Sequence, residues 1–480
     1  MAFSAGVGMK RLEKIAIIGA WGQFPQAEGL KELDRVFSNR VDGIGKIPRK
    51  RIQLQQMDPQ KEYIESGYLE DIDRFDYGFF GISPKEASCM DPQHRLALET
   101  ACKTIESAGY GLSDVAETNT AVIVGCGDTH YSELFEDKSG YAIVGAMVNT
   151  LAGRISYLLD LRGESSVVST SCSSSLFGLY DACVRLSQES CEAALVGGVY
   201  IDFNIRTCDE LSGDSTTLGL AASDGRCKAF DDSADGINTC ESCAFVFLKR
   251  LEDAERDGDH ILAVISAAEA NQDGGRSNSF SSPSVMAQAE LLARTWKDHQ
   301  INPEEIGYFE GHGTGTKIGD PIEIDGIRKA FLQFTEKKHV CPIGSLKSNY
   351  GHPGPVAGLA SVLKGILSLN LGKKYPLRTF NIPNRMINFA DSPVYPAVEL
   401  EEWEDGHKVF AINCFGISGT NVHVVLENAK EIPKVEKQHK PWPVKLSAAT
   451  EEQFYELKNH MLKILEEEKS LKDVADAPAT

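Results

Sequence analysis

Basic charge, ordered cysteine spacing and long apolar runs are all scarce in this sequence. Lysine and arginine number 49 against 69 aspartates and glutamates, for a net charge of −20. That balance disfavours nucleic acid and anionic membranes as partners, and leaves room for a local basic patch that meets an acidic carrier. The twelve cysteines are scattered. In a chain this long they read as reduced cytosolic thiols rather than a disulfide framework. No apolar run approaches the ~18 residues of a membrane-spanning helix. Residues 1–8 are too short, weakly apolar and uncharged to read as a signal peptide, so a cytoplasmic setting is expected. Low-complexity segments and short-period repeats are missing too.

What is present is enough apolar sequence for a large core, at 42% of 480 residues. Length alone suggests about three domains. Short apolar runs recur at 15–18, 121–124, 167–168, 194–196, 244–248, 262–265 and 422–426. They lack polar alternation, which predicts strands covered on both faces. Helical patterns over 92–108 and 287–299 lie between them, and the alternation predicts an α/β fold. After Leu426 the composition turns polar, and residues 428–443 with Pro433, Pro441 and Pro443 read as a linker. Thr450, with Glu451 and Glu452 behind it, marks a helix start. Phe454, Leu457, Met461 and Ile464 or Leu465 then share one face, which is expected to pack on the chain's own body. The Ala- and Asp-containing end reads as a truncation point in a larger protein.

Chemistry first shows at Val167-Val168-Ser169-Thr170-Ser171-Cys172-Ser173-Ser174-Ser175-Leu176. An apolar strand runs into small polar residues and then into a helix with Leu176, Leu179, Cys183 and Leu186 on its buried face. Cys172 would sit at the helix N-terminus, where free N–H groups and the dipole stabilise a thiolate. The other reading of this segment, a buried and inert cysteine, stays open on these residues alone.

Two glycine-flanked histidines follow. Glu310-Gly311-His312-Gly313-Thr314-Gly315-Thr316 runs on to Gly319-Asp320-Pro321-Ile322-Glu323. It lacks the Gly-Lys-Ser/Thr of a phosphate loop and the spacing of a dinucleotide fingerprint. A strand-like 343–346 precedes Lys347-Ser348-Asn349-Tyr350-Gly351-His352. A late glycine turn, Asn413-Cys414-Phe415-Gly416-Ile417-Ser418-Gly419-Thr420-Asn421, can present N–H groups to an oxyanion. Together, a cysteine, two loop histidines and a glycine turn fit nucleophilic acyl chemistry. Cys240 and Cys243 have Cys-x-x-Cys spacing, but no second ligand pair matches it, so no metal site is expected.

At these motifs the chain resembles the ketosynthase (beta-ketoacyl synthase) domain of a modular polyketide synthase, within the thiolase-like condensing enzymes. Phe79-Phe80-Gly81-Ile82-Ser83, Met90-Asp91-Pro92-Gln93 and Gly419-Thr420-Asn421-Val422-His423-Val424-Val425-Leu426 extend the likeness in the same order. The resemblance implies an N-terminal tail over 1–13, a ketosynthase domain over 14–428 and a post-ketosynthase linker over 429–480. It implies two similar α/β halves in a five-layer αβαβα core, and a homodimer.

It further implies that Cys172 accepts an acyl group from an acyl carrier protein. A malonyl-type extender on a second carrier then decarboxylates, and His312 and His352 stabilise the enolate. Cys172 and Phe415 N–H groups would form the oxyanion hole, with Phe415 also a gate. Lys347, Asp320 and Glu323 would support the histidines, and Thr314, Thr316, Asn349, Gly416 and Ile417 would line the substrate pocket. No bound cofactor is implied, since the carrier brings its phosphopantetheine. An acyltransferase would act elsewhere or in trans.

Some positions depart from the family pattern. Gly354 stands where a glutamate is usual, between Pro353 and Pro355, which removes a carboxylate partner expected for Lys347. Segment 235–242 is altered, Ser169 replaces a common aspartate, and a usual tryptophan is missing near Asp34–Val36. These changes point to an unusual substrate, a specialised condensation or a weakened decarboxylation. Three further readings remain: a domain that only transfers acyl chains between carriers, a structural partner like a chain-length factor, and a fatty-acid elongation enzyme. The retained Cys172 argues against the structural partner. The linker-like tail and polyketide-type motifs argue against the fatty-acid enzyme.

Overall fold

The computed structural model describes residues 12–127, 131, 139–208, 221–277, 279–404, 406–430, 446, 448 and 450–467. The apolar runs become strands that are longer than the runs themselves. They are β1 (Ile15–Phe24), β2 (Thr120–Gly125), β3 (Ser165–Val168), β4 (Ala193–Tyr200), β5 (Ser242–Arg250) and β6 (Ala263–Gln272). One strand that the sequence reading did not single out follows, β7 (Ile306–Glu310), and then β8 (Cys341–Gly344), which overlaps the strand-like 343–346. After β9 (Val394–Pro396) come β10 (Val409–Phe415), also not singled out, and β11 (Thr420–Glu427).

They form one twelve-stranded sheet in the order β9-β8-β7-β10-β11-β6-β1-β5-β4-β2-β3, with the short strand Ala27–Glu28 paired to β1. The order contains the same pattern twice. From β1 outward, two antiparallel pairings (β5, then β4) precede two parallel ones (β2, then β3). From β6 outward, two antiparallel pairings (β11, then β10) precede two parallel ones (β7, then β8). The halves join where β1 and β6 pair over three residues, Ile15–Ile17 against Ile265–Ala263.

Helices cover both halves on both faces. On one outside lie α1 (Pro92–Ser107) and α2 (Leu151–Leu159), packed on a core that includes Leu98, Val122 and Phe245. Asp91 caps α1, accepting the N–H of Gln93 at 2.8 Å. On the other outside lie α4 (Val285–Asp298) and α5 (Gly319–Phe331), packed around Trp296, Phe309 and Ile327. Between the halves run α3 (Ser174–Ser187) and α6 (Ala357–Leu371), in a core shared by Leu176, Leu359, Val196 and Val424. This is the expected five-layer, thiolase-like arrangement of two similar halves. It explains why the strands lack alternation: both faces of each half are covered.

One expectation changes. The stretch Gly354–Leu371 is long and apolar enough to cross a membrane, which the sequence reading did not recognise, with Lys364 inside it. It is 83% buried, and it forms most of the middle layer.

The middle layer also brings the chemistry together. A Cβ on Gly358 would lie 2.3 Å from Leu176 Cβ and 2.7 Å from Leu176 N, so only glycine lets α3 and α6 cross this closely at their N-terminal ends. Cys172 precedes one helix and His352 the other.

The last helix, α7 (Glu451–Glu467), starts where expected. Thr450 Oγ1 accepts from Gln453 N and Thr450 O accepts from Phe454 N. Its packing is narrower than the sequence pattern suggested. Met461 is buried and Leu457 half-buried, while Phe454 and Tyr455 are exposed. The side chains of Ile464 and Leu465, and most of 429–449, lie outside the described residues.

Candidate active site

Four loops converge on a cavity of about 420 Å³ lined by Cys172, His312, His352, Phe415, Gly416 and Ile417 among others. Cys172 lies in a 3₁₀ turn, Ser171–Ser173, that leads directly into α3. Ser171 is held at φ +60°, a left-handed conformation that a non-glycine residue adopts at a cost. It turns the chain sharply from β3 into the helix. Cys414 Sγ–H, 3.1 Å from Cys172 O, donates to that carbonyl.

The thiol itself corrects an expectation. Burial pushes its pKa up, and this outweighs Ser171 Oγ, the Lys347 charge and the N–H groups of Cys172 and Ile417, which all pull it down. Resting Cys172 is therefore a thiol, although it sits at a helix N-terminus.

His352 is buried and His312 half-buried, and both present the same ring nitrogen. His312 Nδ1 accepts the Phe415 N–H at 3.3 Å, and His352 Nδ1 accepts the Gly354 N–H at 3.0 Å. A neutral ring that accepts at Nδ1 carries its proton on Nε2. Among the described residues His352 Nε2 has no partner. Burial, then the nearby Lys347 ammonium, holds both imidazoles well below the usual histidine range, and His352 adds to the effect on His312. The two rings meet edge to face, 5.6 Å between centroids. The site thus offers two neutral Nε2–H donors beside one thiol.

Other calls divide. Lys347 Nζ donates to His312 O at 2.6 Å. Among the described residues it forms no ion pair, as the loss of a glutamate at Gly354 suggested. Gly354 instead takes a φ of +51° and supplies the His352 N–H donor.

Asp320 accepts from the N–H groups of Phe230 and Gly315. Burial raises its pKa to about 7 against those donors. Glu323 accepts from His312 N, Gly313 N and Asn413 Nδ2. Both carboxylates shape the His312 loop, and both also reach the cavity wall, where Thr314 and Thr316 lie.

Asn349 does not line the cavity. Its Nδ2 donates to Val41 O, because the one-turn helix Lys347–Tyr350 points it away from the thiol. The Phe415 oxyanion assignment also shifts: that N–H is directed at His312 Nδ1, while the N–H of Ile417 is the one aimed at Cys172 Sγ.

The sequence reading missed what holds His352. Its N–H donates to Asn238 O at 2.6 Å, its carbonyl accepts from Cys240 N at 3.0 Å, and Thr239 bridges to it. The altered segment 235–242 is this clasp, and the departure from the family pattern was the available signal. Next to it, Glu241 makes a fully buried ion pair with Arg51 at 2.8 Å. Cys240 and Cys243 face opposite cores, so they cannot share an ion. All twelve cysteines lie among the described residues, and none is assigned to a disulfide.

Residues 12–254 match the family described as Beta-ketoacyl synthase, N-terminal domain, and residues 262–381 match its C-terminal domain. The chain belongs to the beta-ketoacyl synthase family. Residues 383–480 match the Ketoacyl-synthetase C-terminal extension. Polyketide synthase PksL of Bacillus subtilis (strain 168) is 38% identical to this ketosynthase over 455 residues, which cover 92% of the chain and 10% of that protein. PksN of the same organism is 37% identical, covering 88% of the chain and 8% of that protein. The ketosynthase thus spans a small part of these curated relatives.

Among solved structures, the ketosynthase from module 6 of the bacillaene synthase of Bacillus subtilis 168 superposes with a TM-score of 0.84. It has 35% identity, over 97% of this chain and 80% of that one. Ketosynthase twelve of the bacillaene polyketide synthase in Bacillus amyloliquefaciens gives 0.85 and 32%, over 97% and 83%. The fold and family are those of condensing enzymes of the polyketide synthase type.

Proposed function

We propose that this ketosynthase elongates acyl chains by decarboxylative condensation. Cys172 Sγ attacks the thioester carbonyl of an acyl chain on an acyl carrier protein. The carrier thiol leaves and takes up the proton. The Cys172 and Ile417 N–H groups, which flank Sγ, hold the tetrahedral oxyanion. A malonyl-type thioester on a second carrier then loses carbon dioxide. Its bond pair passes to the thioester oxygen as an enolate, beside the Nε2–H groups of His312 and His352. The enolate carbon attacks the acyl-cysteine carbonyl, the new C–C bond forms, and the Cys172 sulfur departs and is reprotonated.

The carrier's phosphopantetheine arm would run along the cavity wall that carries Thr314 and Thr316. An acyltransferase acting elsewhere or in trans would charge the extender carrier. A homodimer is part of the same reading. The edge strand β3 pairs only with β2, and Tyr141, Ile143, Val144, Met147 and Tyr157 are exposed nearby in sequence. A cytoplasmic setting is part of this reading too, supported by twelve cysteines with none assigned to a disulfide.

The observation that carries the proposal is the pair of neutral imidazoles, each with its Nδ1 taken by a backbone N–H, lining one cavity with the Cys172 thiol. Loading requires only the thiol and the oxyanion hole, whereas condensation also requires both imidazoles. Removing one well-placed donor costs on the order of a hundredfold or more in rate.

Intact-protein mass spectrometry with acyl and malonyl carriers separates the steps. Cys172→Ala should abolish the acyl mass shift, and His352→Ala should damage ketoacyl formation far more than loading. Suppose wild type loads readily but forms no ketoacyl product with any malonyl-type carrier that a matched control ketosynthase accepts. The elongating reading is then wrong, and transfer between carriers replaces it.

A further inference from the structure

Among the described residues, His423 is the one fully buried histidine near the site that the chemistry above does not use. It lies on β11 directly opposite Asn413 on β10, two residues before Phe415. Trp296 Nε1–H donates to His423 Nε2 at 3.0 Å. An indole N–H is a donor only, so Nε2 must accept and the neutral ring carries its proton on Nδ1. That nitrogen faces Asn413 Oδ1 at 2.8 Å and also the Ile412 carbonyl, both acceptors. Asn413 is therefore oriented with its oxygen toward His423 and its amino group toward Glu323, donating to Oε1 at 3.0 Å. Flipping that amide would set donor against donor at one end and oxygen against carboxylate at the other.

Glu323 passes the constraint on. Oε1 also accepts the His312 N–H at 2.7 Å, and Oε2 the Gly313 N–H at 2.8 Å. Trp296 and His423 have no exposed surface, and Asn413 and Glu323 are nearly as buried. In a dry interior every member must be satisfied, so the chain has one polarity from the outer helix layer inward. We propose that Trp296, His423 and Asn413 are positioning residues: a directional hydrogen-bond relay that orients the Glu323 carboxylate and through it sets the His312 loop. Strand β10 adds a second hold, since its Phe415 N–H reaches His312 Nδ1.

The relay rests on the role given to His312 above, so its test needs a readout that does not depend on turnover. Hydrogen–deuterium exchange at the imidazole C2 position, followed histidine by histidine by mass spectrometry, supplies one. His423→Gln keeps an acceptor for Trp296 and a donor for Asn413, and should match wild type. His423→Phe keeps a ring and removes both functions. In it, His312 exchange should rise by roughly threefold or more as local protection falls, while His94 and His352 stay unchanged.

In parallel, condensation should fall about ten- to a hundredfold through loop misplacement, with acyl loading at Cys172 within about twofold. Unchanged His312 exchange in a folded His423→Phe protein would overturn the relay. So would equal acceleration of all buried histidines, which marks general loosening. Should His423→Phe fail to fold, Trp296→Phe removes only the terminal donor. The same His312-specific rise is expected there, and its absence overturns the proposal. If wild type itself makes no ketoacyl product, the elongating reading fails while the exchange data still decide the relay.

Discussion

Lys347 is the single charge that most groups in the site sense. It is almost fully buried, and among the described residues its side chain has one hydrogen-bond partner, His312 O. Its ammonium pulls the Cys172 thiol down against burial, and opposes protonation of His312 and His352. Lys347→Met removes the charge and keeps most of the stem. A neighbouring cation is typically worth about one pK unit or more at a buried group. The Cys172 pKa, already raised by burial, should then climb further, leaving less thiolate at any pH below it.

Iodoacetamide reports this directly, because the thiolate is the reacting species. At pH 8 alkylation of Cys172 should slow about tenfold in Lys347→Met, and its pH midpoint should move upward. Condensation should suffer more than loading, since His312 O also loses a charge-assisted hydrogen bond worth about 1.5–3 kcal/mol. An alkylation rate that is unchanged or faster in a folded Lys347→Met protein would refute the electrostatic role given to Lys347.

Two further outcomes follow from buried groups and open edges. His94 is buried and, among the described residues, has no partner at either ring nitrogen; burial, then Arg154 and Arg95, lowers its pKa to about 3. The unfolded chain binds this proton below about 6.5 and the folded chain does not, so stability falls as pH drops. Between pH 6.5 and 5 the loss is about 2 kcal/mol. His94→Leu should therefore be the more stable protein, and its advantage in unfolding free energy, read from urea denaturation, should widen by about 2 kcal/mol from pH 7.5 to pH 5. An advantage that stays constant with pH contradicts the assigned charge state. The dimer reading predicts twice the chain mass of 52.4 kDa by light scattering at micromolar concentration. A monomer there counts against it.

Much of the fold was legible because both-face burial leaves a mark in the sequence: runs such as 121–124 and 244–248 have no polar alternation. The strands not singled out, β7 and β10, are the ones beside the chemistry. Ile306–Glu310 and Val409–Phe415 carry Glu310 and Asn413 among their apolar residues, and both side chains are spent on buried partners. Polar residues satisfied in a core look like loop residues in a linear pattern.

The site shows the same division. Cys172, His312 and His352 were readable as types at motif spacing, and the structure brings all three to one cavity. Which amide faces the sulfur was not readable, because it depends on how the turn Gly416–Gly419 folds after β10: Gly416 N bonds Thr420 O, Gly419 N bonds Gly416 O, and the Ile417 N–H is left to face Sγ. The charge on Cys172 was misread for a related reason. A helix N-terminus is local and visible in sequence, whereas the burial that outweighs it comes from α6 and the loops of the other half of the fold. The loss of a glutamate at Gly354 looked like damage to the Lys347 network. In three dimensions the residue donates the N–H that fixes the His352 tautomer. That donor comes from the backbone, so losing the side chain at this position leaves the Nε2–H of His352 in place for the enolate.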